Sequence, residues 1–132
     1  MGTVVLQGKL FGRQGGGAKF LSIPWVQKQI IEKLEFKPFP GTLNLHLTQE
    51  STETKREIIK TGKAIIIVPV KGFCCGLCYK ARIMDKMDGA VIIPQVPDYP
   101  EDVLEVIASV SLRKTLKLRE GDEVRLSVYL PA

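Results

Sequence analysis

The stretch KPFPGTLNLHL, Lys37 to Leu47, decides the fold, because it reads as a turn feeding a strand and not as a helix. Pro38, Pro40 and Gly41 break any helical run, and the following residues then alternate strictly between apolar and polar. Side chains alternate across a strand, so Leu43, Leu45 and Leu47 face a core while Thr42, Asn44 and His46 share the other face. The polar face has two readings: a solvated surface, or Thr42 and Asn44 presenting neutral oxygens to a hard cation brought in with a nucleotide. His46 reads as a surface residue.

Outward from this strand the pattern repeats. TVVLQGKLF, AIIIVPV, FCCGLCYKARIM, GAVIIP and DEVRLSVYL each read as strands. SIPWVQKQIIEKLEF carries Ser22 as a cap candidate, Pro24 in the first turn, and Val26, Ile30, Ile31 and Leu34 at helical spacing, which predicts one main helix over 24–34. Trp25 at its start is expected to pack. TQESTETKREIIKTG reads as a polar loop with one helical turn, and EDVLEVIASVSLRKTL as helical in part. Short strands without a βαβ rhythm imply a barrel or sandwich of mainly antiparallel strands.

The chain has 132 residues, 45% hydrophobic and 25% charged, which suits one soluble domain over 1–132 with a continuous core. With 19 Lys and Arg against 14 Asp and Glu, a net charge of +5 favours anionic partners such as phosphate esters or nucleic acid. The basic residues are scattered, including those of SLRKTLKLRE, and aromatics make up only 7%, so a base-stacking platform is thin. There is no secretory signal and no apolar run long enough to span a membrane, so a cytoplasmic protein without membrane contact is expected. Cys74, Cys75 and Cys78 neither form a secreted disulfide framework nor, with His46 as the single His, supply four zinc ligands; they are expected to pack as small apolar residues.

GRQGGGAKF, following the first strand, is nearly a phosphate-binding loop. Ala18 stands where a Walker A loop needs Lys, and the dinucleotide pattern fails at Phe20. Consecutive N–H groups of Gly15, Gly16 and Gly17, flanked by Arg13 and Lys19, nevertheless suit an anion-binding concavity, with a plain flexible hairpin as the alternative.

Taken in order, GGGAKFLSIP, LEFKPFPGTLNLHL, GAVIIP and DVLEVIASVSLRKTLKLREGDEV resemble the archaeal CTP-dependent riboflavin kinases over nearly the whole chain. The resemblance implies a mainly β fold, a six-stranded cradle-loop barrel related to the RIFT barrels, with one main helix and short helical segments. It implies transfer of the terminal phosphate of CTP to the ribityl 5′-hydroxyl of riboflavin, giving FMN and CDP. Arg13, Gln14, Gly15, Gly16, Gly17 and Ala18 match the family's phosphate-wrapping loop, and Val110, Ser111, Leu112 and Arg113 its cytosine-side stretch. Thr42 and Asn44 match its Mg²⁺ ligands, and Glu105 its flavin-side carboxylate, which orients the acceptor hydroxyl or takes its proton. Pro97 stands where the family has a flavin-contacting Thr, so that contact is lost or passes to Asp98 or Tyr99. A monomer that binds no nucleic acid is expected, without the extra N-terminal DNA-binding domain of some relatives and hence without a direct regulatory role. The alternatives are a flavin or nucleotide sensor without turnover and a small basic nucleic-acid-binding barrel.

Overall fold

A computed structural model describes residues 2–12, 20–68, 70, 72 and 74–131. Its strands are β1 (Gly2–Leu10), β2 (Leu43–Leu47), β3 (Ile65–Ile67), β4 (Gly76–Ile83), β5 (Met87–Pro94), β6 (Val103–Ile107) and β7 (Glu123–Leu130). The helices are α1 (Pro24–Leu34), α2 (Gln49–Lys60) and the single turn α3 (Leu112–Thr115).

All strand pairings are antiparallel, in the order β4-β5-β6-β2-β1-β7, and β7 returns to β4. The ring is therefore closed with six strands. β4 accomplishes the closure by dividing one of its edges: Gly76 to Cys78 pair with β3, and Ala81 to Ile83 pair with β7. β1 and β7 pair over eight residues, joining the two ends of the chain.

Alternation explains which residues fill the barrel. Leu43, Leu45 and Leu47 of β2 join Leu6, Tyr79, Ala81, Ile83, Val91, Ile93, Leu104, Val106 and Leu126 in one buried cluster. The opposite faces of β4, β5 and β6 are apolar where α1 covers them: Val26, Ile30 and Leu34 pack on Cys78, Ala90, Ile92 and Ile107 in a second cluster. Two-sided burial turns β5 and β6 into nearly continuous apolar runs. Trp25 meets Phe20 edge-on and packs against this second cluster. β1 passes so close to β2 at Gly8 that a Cβ there would lie 2.5 Å from the His46 carbonyl oxygen.

Several expectations need correction. QESTETKREIIK forms a helix of 12 residues, α2, capped by the Thr48 hydroxyl accepting from the Ser51 N–H. Ser22 does not cap α1; Ile23 occupies that position without a side-chain bond. Val103 to Ile107, within the segment read as partly helical, is a strand, and only Leu112 to Thr115 is helical. Ile31 is exposed despite its helical spacing. Cys78 is a buried strand residue as expected, whereas Cys74 is exposed.

Candidate active site

The turn before β2 sets up the first cavity. The Phe39 N–H donates to the Ala108 carbonyl (2.8 Å) and the Phe11 N–H to the Asn44 carbonyl (3.1 Å), so the PFPG turn, the end of β1 and the end of β6 converge. Between them lies a cavity of about 280 Å³ whose wall includes Phe11, Phe39, Thr42, Asn44, Ser111 and Arg113. Val110 and Leu112 also line that wall, so the structure brings all four residues of the VSLR stretch to the same place as Thr42 and Asn44. The Ser111 hydroxyl also caps α3, accepting from the Lys114 N–H (3.3 Å), which fixes the wall at this point.

Thr42 and Asn44 hold one another. The Thr42 hydroxyl donates to Asn44 Oδ1 (3.5 Å), while Asn44 Nδ2 donates to the Thr42 carbonyl (3.4 Å). Two adjacent ligands of an octahedral Mg²⁺ stand about 3 Å apart, so this oxygen pair fits such an ion with a small adjustment. Both residues are half-buried and neutral. Among the described residues no group of three or more His, Cys, Asp or Glu is placed to hold a metal by itself, so further oxygens would have to come from a ligand or water.

Glu105 sits directly across from Asn44 in the β2–β6 register, with their side chains on one face of the sheet. Its Oε2 accepts a hydrogen bond of 2.5 Å from the Tyr99 hydroxyl. Tyr99 in turn lines a second cavity of about 500 Å³ with Lys55, Ile59, Ile93, Val96 and Pro97. Glu105, which lines neither cavity, thus stands between Asn44 on the wall of the first and Tyr99 on the wall of the second. Pro97 belongs to the second cavity only, and Asp98 beside it is exposed with φ +63°.

Lys55 is the residue that the sequence reading overlooked. Only 3% exposed, its Nζ donates to the carbonyls of Glu101 (3.0 Å) and Val103 (2.9 Å) and lies 5.6 Å from the centre of the Tyr99 ring. Burial lowers its pKa, against the opposing pull of Glu101, Asp102 and Glu105. No apolar spacing marks it in the sequence, because Ser51 and Lys55 share the buried helical face with Ile58. Phe11 was also passed over; it stacks on His46 with ring centres 3.7 Å apart at the mouth of the first cavity. His46 is otherwise exposed, 3.8 Å from the Asp102 carboxylate. Arg13, Gln14, Gly15, Gly16, Gly17 and Ala18 lie outside the described residues.

Residues 11–128 match the family model of the CTP-dependent riboflavin kinase domain, whose description reads "Domain of unknown function DUF120". The chain belongs to this family. Similar proteins carrying the name riboflavin kinase include those of Methanosarcina barkeri (36% identical, covering 90% of this chain and 54% of that protein) and Methanococcoides burtonii (38%, covering 95% and 57%). The riboflavin kinase of Ignicoccus hospitalis is 38% identical over 96% of this chain and 72% of its own length. The chain therefore spans little more than half the length of the first two relatives. The match to the CTP-dependent riboflavin kinase domain takes in both cavities, since every residue lining them except Leu10 falls within 11–128.

Proposed function

We propose that this protein is a CTP-dependent riboflavin kinase, with residues 1–132 forming one kinase domain that acts in the cytoplasm as a monomer and engages neither membrane nor nucleic acid. The observation that carries the reading is the placement of Glu105 between two cavities of different character, paired with Asn44 on the wall of one and bonded to Tyr99 on the wall of the other. The first, with backbone turns, Thr42, Asn44 and Arg113, suits a nucleotide; the second, larger and walled by Ile59, Ile93, Val96, Pro97 and Tyr99, suits the flat apolar ring of a flavin. Family membership and the naming of the relatives as riboflavin kinases support the same substrates.

In the reaction, the ribityl 5′-oxygen forms a bond to the terminal phosphorus of CTP, the bond from that phosphorus to the bridging oxygen breaks, CDP leaves and the hydroxyl proton departs. Such transfer passes through a loose transition state and asks the protein chiefly for positioning and charge stabilisation. Arg13 to Ala18 wrap the phosphates, and Val110, Ser111, Leu112 and Arg113 border the base. Thr42 and Asn44 would hold Mg²⁺, which would supply charge stabilisation at the phosphate oxygens. Glu105 orients the acceptor hydroxyl or takes its proton, and Pro97 contributes shape to the flavin pocket but no hydrogen-bond donor.

The test is to incubate the protein with riboflavin, Mg²⁺ and each of CTP, ATP, GTP and UTP, and to follow FMN by chromatography. FMN formed chiefly with CTP is expected, and EDTA should stop it. No FMN with any nucleotide, in a folded sample that still binds flavin, would replace the kinase with a sensor. Asn44→Ala should lower turnover at least ~100-fold, in line with loss of a preorganised charge-stabilising element; near-normal turnover would remove Asn44 from the metal site.

A further inference from the structure

The segment between β5 and β6 is fastened more firmly than a surface connection requires. The Gln95 N–H donates to the Cys75 carbonyl (2.9 Å), the Tyr99 N–H to Val96 (3.2 Å), and the Val103 N–H to Pro100 (3.3 Å). The Leu47 N–H reaches the Asp102 carbonyl (2.7 Å), and Pro97 and Pro100 restrict φ on either side of Tyr99. From α2, the Lys55 ammonium bonds the carbonyls of Glu101 and Val103 and lies over the Tyr99 ring, while Arg56 forms an ion pair with the Glu101 carboxylate. These anchors hold the segment on both sides of Tyr99, and the Tyr99 phenol bonds Glu105.

A glutamate side chain on a β-strand can occupy several staggered rotamers, so its backbone position alone does not aim the carboxylate. We propose that Tyr99 is a positioning residue for phosphoryl transfer: its hydroxyl, held in place by Lys55 and the anchored 95–103 segment, fixes the Glu105 carboxylate between the larger cavity, which would supply the acceptor alcohol, and Asn44 on the wall of the smaller one, which would hold the phosphate. This inference rests on the kinase reading above. The Lys55 ammonium serves it indirectly, by pinning the main chain at 101 and 103 and packing over the ring. Tyr99 holds the carboxylate and has no part in bond making.

The experiment compares wild type, Tyr99→Phe, Glu105→Gln and the double variant for FMN formation, with KM for CTP and riboflavin resolved separately, alongside thermal unfolding. Tyr99→Phe keeps the ring and its contact with Lys55, so its unfolding midpoint should stay within a few degrees. A hydrogen bond to a charged group corresponds to roughly ten- to a hundredfold in rate when lost. The expected result is a fall of about that size in kcat with riboflavin, an unchanged KM for CTP, and little further loss when Tyr99→Phe is added to Glu105→Gln. Wild-type kcat in Tyr99→Phe, or a full additional loss in the Glu105→Gln background, would overturn the role. If Tyr99→Phe unfolds, Lys55→Met supplies the second probe: a kcat defect that vanishes in the Glu105→Gln background supports the chain of contacts, and an additive one refutes it. If the wild type makes no FMN, the kinase reading falls and takes this inference with it.

Discussion

At the scale of single residues, the environment of a side chain determines its chemistry more than its type does. The three cysteines show this. Burial under α1 pushes the Cys78 thiol up to about 12, whereas Cys74 is exposed. Native protein treated with iodoacetamide at pH 8 should therefore be labelled at Cys74 but not at Cys78, as peptide mass spectrometry would show; rapid labelling of Cys78 would mean that α1 does not stay on the barrel. The same shift predicts a stability slope. A thiol whose folded pKa lies above its unfolded value stays protonated in the native state while the unfolded chain loses the proton. The stabilisation is complete below pH 9 and is lost as pH rises toward 12. Urea melts between pH 8 and 10 should show wild type losing about 1.4 kcal/mol per pH unit above pH 9 relative to Cys78→Ala. Equal slopes would remove Cys78 as the source. The polar face at Thr42, Asn44 and His46 was legible in the sequence because a strand's period of two is strict. The phenol bond to Glu105 was not, since it joins residues whose separation of six belongs to no regular element.

At the scale of elements, α2 is the instructive case. Its buried positions are Ser51, Lys55 and Ile58, so polar side chains occupy the face that normally announces a helix by apolar spacing. Each is buried with its polar atoms satisfied: the Ser51 hydroxyl accepts from the Gln7 N–H (2.8 Å) and Lys55 donates to two carbonyls. The helix is thereby keyed to β1 and to the start of β6 by hydrogen bonds, and no apolar stripe was needed. α1 had the ordinary signals, Pro24 in the first turn and Val26, Ile30 and Leu34 inward, and its limits match the sequence reading. Lys55→Met should lower stability by about 1–3 kcal/mol in urea melts, because its length and apolar stem are kept while buried carbonyls lose their donor; a neutral result would mean that water replaces the ammonium. α1 also guards the outer edge of β3. The Gln29 side chain both accepts from the Val68 N–H (2.7 Å) and donates to its carbonyl (2.9 Å), and Lys33 donates to Ile66 (2.7 Å). These bonds blunt an edge that is flanked by exposed Ile66, Val68 and Val70.

At the scale of the whole molecule, barrel closure depends on contacts between the first and last strands. The register from Gly2 with Leu130 to Lys9 with Glu123 joins residues more than a hundred apart, and β7 simultaneously seals β4 through Ala81 to Ile83. A local reading of sequence sees each strand but not this pairing, which is why closure came from the family resemblance and not from periodicity. Removing β7 would open two edges at once, on β1 and on β4, and would expose the inward Leu6 and Ile83 that now pack with Val124, Leu126 and Val128. Open apolar edges of this kind recruit strands from other chains. A variant ending at Asp122 should consequently fail to give a cooperative thermal transition and should aggregate in size-exclusion chromatography, even though both cavities are lined by residues it retains. A folded, monomeric truncation would mean that β1 to β6 form a stable open sheet, and that closure serves the site and not the core.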